Sequence, residues 1–410
     1  MTKPVHGGNL AWAATVAGCP VASILDFSAS INPLGPPDSA IHAIQTQIGK
    51  LKAYPDPNYQ ELRKALSLVH PPLTPEWILP GNGAAELLTW AALDLSKLET
   101  TYLLTPAFGD YRRALQTFEA NITECPLTLG ESKLVSPWSG IIETDLNTGE
   151  AGDSEIEMNT LDKKKGASQP LDLHQGFPHS SKPTAHTLSL TLNPHLSNPS
   201  KKGLLLNNPH NPTGMLIEPE AIVPYLQEFS LVVVDEAFMD FLPPPQLQSL
   251  IPLVTEFDNL VILRSLTKFY SLPGLRLGYA IAHPERLRKW QQWRDPWPVN
   301  TLAIGAAQAV LQDQKFQQLT WDWLADARPK LFQGLAELPG LQPYPGAANF
   351  LLVHSQKSVD WLQITLLKQH RILIRDCLSF PELGDRYFRV AVRTQADNQK
   401  LVNALAEIFK

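Results

Sequence analysis

The chain has 410 residues, 44% of them hydrophobic, and a formal charge of −6 at pH 7. That length implies two structural domains rather than one core, and the acidic balance excludes bulk attraction to nucleic acid or to an anionic membrane. Cys19, Cys125 and Cys377 stand far apart with no CxxC spacing, so neither a disulfide framework nor a metal site is expected.

The start, MTKPVHGGNLAWAATVAG, lacks a cationic segment followed by a long apolar run, so no signal peptide is expected. With no run of about twenty apolar residues, a spanning segment is not expected either, and a cytoplasmic location fits. Residues 1–35 read as an extended arm. His6 stands beside Gly7 and Gly8, where backbone can approach a ligand closely, and Asn32 ends a short alternating stretch from Leu25. A helix is predicted from about Ser39 and another over Gln60–Val69.

At Trp77–Pro80 a short apolar strand runs into Gly81-Asn82-Gly83, and Ala84–Leu95 reads as a helix. Strand, glycine turn and helix start bring free N–H groups and the positive end of the dipole onto an anion. Taken alone, such a turn is a plain tight turn. Thr101–Leu104 is a second strand, ending near Phe108, whose ring stands where it can lie flat on a ligand.

Composition changes at about 127–202, where Ser, Thr, Asn, Pro and charged residues dominate. Such a segment buries too little apolar surface to offset the entropy of ordering, so it reads as an insertion. Its histidines, His174, His179, His186 and His195, lack metal-ligand spacing.

Beyond it, Gly203–Leu206 is a strand leading into the turn-rich Asn207–Gly214, and Pro219–Phe229 is a helix. Leu231–Val234 is a continuous apolar strand ending at Asp235, and Leu260–Leu263 is another, delivering Lys268 beside Phe269 and Tyr270. Alternating strands and helices imply an α/β architecture with a mostly parallel sheet, polar residues at the strand ends marking the functional edge. After the helix carrying Trp290 and Trp293, helices are predicted over Asn300–Leu311 and Trp321–Leu338. A smaller α/β unit follows to Lys410. The expected division is an arm at 1–35, a large domain at 36–290 and a small one at 291–410.

These groups share one chemistry. A lysine desolvated among aromatics and hydroxyls favours the neutral amine that forms a Schiff base. Asp235 ends a buried run and needs a cationic partner, such as a protonated pyridine nitrogen. Asn211 can donate to a phenolate; the helix start at Gly83, Ser265, Thr267 and Arg276 can hold a phosphate; Phe108 can stack on a ring. Pyridoxal phosphate presents all five features at once.

The motifs NNPHNPTG (207–214), VVVDEAF (232–238) and SLTKFYSLPGLRLGY (265–279) resemble those of fold-type I pyridoxal-phosphate enzymes, in the same order and with similar spacing. The resemblance implies Lys268 as the Schiff-base lysine, Asp235 on the pyridinium, Asn211 on the phenolate and Phe108 on the ring. It places Ala84, Ala85, Ser265, Thr267 and Arg276 on the phosphate. Where many relatives have tyrosine, Phe238 stands, which has no hydroxyl to donate to the phenolate.

A finer resemblance, to the threonine-phosphate decarboxylases of cobalamin biosynthesis, is carried by HGGN at His6, DFSASINPLGPP from Asp26, DPWPVN from Asp295 and the segment from Ile374. It implies decarboxylation of O-phospho-L-threonine to (R)-1-amino-2-propanol O-2-phosphate. Arg389 would clamp the carboxylate, and His6, Gly7, Asn32, Asn211 and Arg375 would hold the substrate. It also implies a homodimer with shared sites, Tyr54 reaching the neighbouring subunit's cofactor. The related histidinol-phosphate aminotransferases are the alternative enzyme, and a non-catalytic regulatory protein on the same fold is the alternative of another class.

Overall fold

The computed structural model describes residues 7–127, 200–246 and 248–410. His6, most of the segment expected to be an insertion and its four histidines lie outside the described residues.

Thirteen strands are present among the described residues. They are β1 (Leu25–Asp26), β2 (Ile78–Asn82), β3 (Thr100–Thr105), β4 (Ile122–Pro126), β5 (Ser200–Asn207), β6 (Phe229–Asp235), β7 (Leu260–Ser265), β8 (Leu277–Ala282), β9 (Leu341–Pro343), β10 (Phe350–Ser355), β11 (Ile372–Leu373), β12 (Arg375–Asp376) and β13 (Tyr387–Ala391). The large sheet has the order β2-β8-β7-β6-β5-β3-β4. Its pairings are parallel from β7 through β6, β5 and β3 to β4, and β8 runs antiparallel to both of its neighbours. A four-stranded antiparallel sheet, β12-β13-β10-β9, forms the smaller unit.

Burial on both faces accounts for the near-continuous apolar runs of the central strands. Val232 and Val234 of β6 pack into one core with Leu204, Leu206, Leu260 and Ile262, while Leu231 and Val233 pack into a second with Leu103, Leu205, Val261 and Leu263. This is the period of two of a pleated strand. The sheet is thereby a fixed plate, and Asp235 and Ser265 end two of its parallel strands.

Several boundaries differ from expectation. Leu10–Ala17 is a helix inside the segment read as extended, capped by Asn9 at its start and by Gly18 in the left-handed region at its end. The helix expected from Trp321 begins at Gln314, where Asp313 accepts a hydrogen bond from the Phe316 N–H. The helix Gly109–Thr117 and the strands β4 and β8 were not read from the sequence. The ends of the expected insertion, Leu127 and Ser200–Lys202, belong to the sheet region: the Leu127 N–H donates to the Thr105 carbonyl at 2.6 Å, and β5 starts at Ser200.

The N-terminal segment crosses between the two units. β1 pairs in parallel with β11, and Phe27 bonds the Leu373 carbonyl and the Ala391 N–H on the small unit. Five residues later Asn32 is bonded to the lysine loop. The segment is a strap, and it sets the small unit's strands beside Lys268.

Candidate active site

Lys268 lies on the loop after β7, half-buried, with its amine donating to Thr267 Oγ1 at 3.1 Å and standing 5.8 Å from the Phe238 ring centroid. Burial lowers its pKa from the ordinary lysine value; Asp235 opposes that shift, and the Arg276 and Arg389 charges reinforce it. The loop is held from below by Asn32, whose N–H donates to the Lys268 carbonyl at 3.1 Å. The Asn32 amide donates to the Phe269 carbonyl and to Thr320 Oγ1, both at 2.8 Å. Both side-chain donors of Asn32 are therefore spent inside the protein.

Asp235 ends β6. Its Oδ1 accepts from the Ala237 N–H at 2.9 Å and its Oδ2 from the Tyr111 hydroxyl at 2.8 Å. Burial pushes the Asp235 carboxyl up from the usual range, and Tyr111, Ala237 and Lys268 each pull it back. Tyr111 escaped sequence reasoning. It is separated from Asp235 by 124 positions, and the only local signal was the unrecognised helix Gly109–Thr117 that carries it.

The helix Ala84–Leu95 begins after Gly83, whose φ is +76° and which offers no side chain to cap the first turn. Glu86 folds back onto the Asn82 N–H at 2.6 Å. A Cβ on Gly83 would meet the Arg276 guanidinium at 2.5 Å, so the glycine is what lets Arg276 reach the helix start. Gly278 pairs with both Gly81 and Ser265, and a Cβ there would lie 2.5 Å from the Ala84 nitrogen. This close approach brings β7 and the helix start together. Ser265 Oγ and Thr267 Oγ1, both buried, lie 2.7 Å apart beside them. The result is a set of hydroxyls, backbone N–H groups and one guanidinium close together, the composition of an anion cradle.

Phe108 precedes the helix Gly109–Thr117 and meets the Tyr111 ring edge-on at 5.7 Å. Asn211 is buried in the loop after β5, and Arg389 Nη1 donates to its Oδ1. An arginine has only donors, so this bond fixes the amide orientation and leaves Nδ2 to donate elsewhere.

Arg389 on β13 pairs across the sheet with Arg375 on β12, and both are buried. The Arg389 guanidinium carbon lies 4.6 Å from the Phe350 centroid, and Phe350 in turn packs edge-on against Phe238 at 5.1 Å. Burial lowers the Arg389 pKa to about 10 and lowers that of Arg375 as well. Arg375 donates to Ser379 Oγ at 2.7 Å and lines a cleft with Gly7, Ser28 and Gln363. Tyr54 is placed elsewhere on this chain: it is 78% exposed and stacks on Trp297 at 4.3 Å.

A second buried cluster supports the site. Glu236, with no exposed surface, accepts from Arg264, Ser249 and the Leu250 N–H, and Arg264 also bonds Asp240. It anchors the turn after β6 to β7, which fixes Asp235 relative to Lys268. Among the described residues, no group of three His, Cys, Asp or Glu side chains could hold a metal ion, and no helix is long and apolar enough to cross a membrane.

A profile of the family "Aminotransferase class I and II" matches residues 178–405. A threonine-phosphate decarboxylase of Salmonella typhimurium is 36% identical over 98% of this chain and 96% of that protein. Histidinol-phosphate aminotransferase 1 of Nitrosococcus oceani is 27% identical over 95% and 90%. The crystal structure of the histidinol-phosphate aminotransferase from Clostridium acetobutylicum superposes with a TM-score of 0.74 at 25% identity, covering 94% of this chain and 99% of that one. The chain thus belongs to the aminotransferase class I and II family, within the fold-type I superfamily of aminotransferases and decarboxylases that use pyridoxal 5′-phosphate as cofactor.

Proposed function

We propose that the protein decarboxylates O-phospho-L-threonine, releasing CO₂ and 1-amino-2-propanol O-phosphate, as a step of cobalamin biosynthesis. The observation that carries this reading is the pair Arg375–Arg389. Two arginines on adjacent strands, both buried and both facing desolvation, suit a substrate with two anionic groups, a carboxylate and a phosphate. The likeness to the Salmonella decarboxylase over nearly the full length of both chains supports it.

The residues present fit the cofactor. The cradle at Gly83, Ala84, Ala85, Ser265, Thr267 and Arg276 would hold its phosphate, and a Cβ at Gly83 or Gly278 would press on Arg276 and the Ala84 nitrogen that line it. Asp235 would meet its ring nitrogen, Asn211 Nδ2 its phenolate and Phe108 its face. When bound, pyridoxal phosphate supplies a nucleophile-accepting carbonyl and a sink for the electron pair released at Cα. Lys268, biased toward the neutral amine, would hold the group through that carbonyl and would carry protons to and from Cα. Arg389 and Arg375 would hold the carboxylate and phosphate of the substrate and so fix which bond at Cα is presented for cleavage. That Cα–carboxylate bond breaks, CO₂ leaves with no proton, and one proton is added to Cα. His6 would add to the phosphate contact of Arg375 and Gly7 would help hold the substrate, Asn32 positions the Lys268 loop, and Tyr54 would reach the site of a second copy.

Transfer of the amino group from histidinol phosphate is the second reading, favoured by the aminotransferase likenesses in sequence and fold. It would use the same groups with the Cα–H bond presented for cleavage instead. Incubation with each substrate separates them: CO₂ released from O-phospho-L-threonine supports the first, and 2-oxoglutarate-dependent amino transfer without CO₂ supports the second.

A further inference from the structure

We propose that Tyr111 is a positioning residue of this site: its phenol fixes the orientation and the ionised form of Asp235. The inference rests on the reading that Asp235 meets the cofactor's ring nitrogen.

Each oxygen of Asp235 is held by a donor from a different element. The Ala237 N–H takes Oδ1 from the turn just after β6, and the Tyr111 hydroxyl takes Oδ2 from the helix Gly109–Thr117. One donor per oxygen locks the rotation of the carboxylate plane and still leaves lone pairs for a cation. Without Tyr111 the plane would hang on a single short-range bond to its own turn.

Toward Asp235 the phenol acts as a donor. It is 2% exposed, and burial, followed by the Asp235 charge, holds its own pKa well above the ordinary tyrosine value, so the hydroxyl keeps its proton. An O–H donated to a carboxylate favours the charged form. Burial works the other way on Asp235, and Tyr111 is the strongest of the influences opposing it, ahead of the Ala237 N–H and the Lys268 charge. Asp110, at the start of the same helix, adds only to the pressure that keeps Tyr111 protonated. Phe108 meets Tyr111 edge-on, so a single helix start places both the ring expected to stack on the cofactor and the donor that steadies the carboxylate beneath it.

The test compares holoenzyme of wild type, Tyr111→Phe, Asp235→Asn and the double variant by pyridoxal-phosphate dissociation constant, by pH titration of the cofactor's visible absorbance and by the pH profile of kcat/KM. Phenylalanine retains the ring contact with Phe108 and removes only the hydroxyl, and Tyr111→Leu stands in should that variant not fold. Tyr111→Phe is expected to weaken cofactor binding about ten- to hundredfold, the scale of a lost hydrogen bond to a charged group. Losing a donor that lowers the Asp235 pKa raises it, so the acid limb of the profile moves to higher pH. Both effects are expected to vanish in the Asp235→Asn background. If Tyr111→Phe matches wild type while Asp235→Asn does not, or if its effect persists undiminished in the Asp235→Asn background, Tyr111 has no role through Asp235. If Asp235→Asn itself matches wild type, the reading of Asp235 fails, and this inference with it.

Discussion

Around Lys268 two kinds of neighbour disagree about its charge. Burial and the cations Arg276 and Arg389 favour the neutral amine, and Asp235 favours the ammonium. Burial prevails, so the neutral fraction at any given pH exceeds that of an exposed lysine, which is the condition for a nucleophilic amine. Lys268→Ala is therefore expected to reduce turnover roughly a thousandfold, within the range for removing a positioned proton-transfer group. The visible absorbance of lysine-bound cofactor should disappear with it. Turnover close to wild type in that variant would show that the lysine is a bystander. Lys268, Asp235 and Asn211 stood out in the sequence because Asp235 ends an apolar strand and the other two lie in polar loops just beyond one. Tyr111 was not legible, because its partner is remote in sequence and a tyrosine near a strand end is ordinary. The spending of both Asn32 donors on Phe269 and Thr320 was equally hidden, since one contact is 237 and the other 288 positions away.

Elements place these residues through close backbone approach. At Gly278 the strand β8 passes so near the start of Ala84–Leu95 that a Cβ would lie 2.5 Å from the Ala84 nitrogen and 2.7 Å from the Arg264 carbonyl. Both are backbone atoms and cannot swing aside. Gly278→Ala is expected to destabilise by about 1–3 kcal/mol, the scale for forced overpacking. Because the displaced atoms line the anion cradle, cofactor affinity should fall as well. Urea unfolding and a dissociation constant check the two effects; an unchanged midpoint and unchanged affinity would mean that the cradle is looser than its geometry. The helix Ala84–Leu95 was read correctly because glycine turn and apolar period agree. The helix Leu10–Ala17 was missed although Asn9 and Gly18 bracket it, since the glycine-rich start drew attention to extension. β8 carries Gly278 and follows the left-handed Arg276, and these interruptions masked a strand whose apolar pattern is otherwise regular.

Across the whole molecule, buried ionisable groups tie stability to pH. His70, bonded to the Tyr279 hydroxyl at 2.8 Å, and His210, in the loop that carries Asn211, are both held down to about 3 by burial, His70 also by Arg264. Between pH 6.5 and 3 the unfolded chain binds protons at these histidines that the folded chain refuses, so stability rises with pH through that window and falls as the medium is acidified. Melting is expected to shift down progressively below pH 6.5, and His70→Gln should flatten the slope. A wild-type stability that is constant from pH 7 to 5 would contradict this. The smaller C-terminal unit was legible in the return of strand and helix alternation from Gly346. The strap that joins the units, β1 on β11 with Asn32 on the lysine loop, depends on long-range pairing that no local pattern encodes.

That strap brings the arm, the lysine loop and the two buried arginines to one place, and the function proposed here rests on the arginines choosing which bond at Cα breaks. Release of CO₂ from O-phospho-L-threonine by the cofactor-loaded enzyme tests this most directly, with Arg389→Ala alongside. The account predicts stoichiometric CO₂ and 1-amino-2-propanol O-phosphate from wild type, with the rate reduced by two orders of magnitude or more (roughly 3 kcal/mol) in the variant. Amino transfer to 2-oxoglutarate with no CO₂, or decarboxylation indifferent to Arg389, would contradict it.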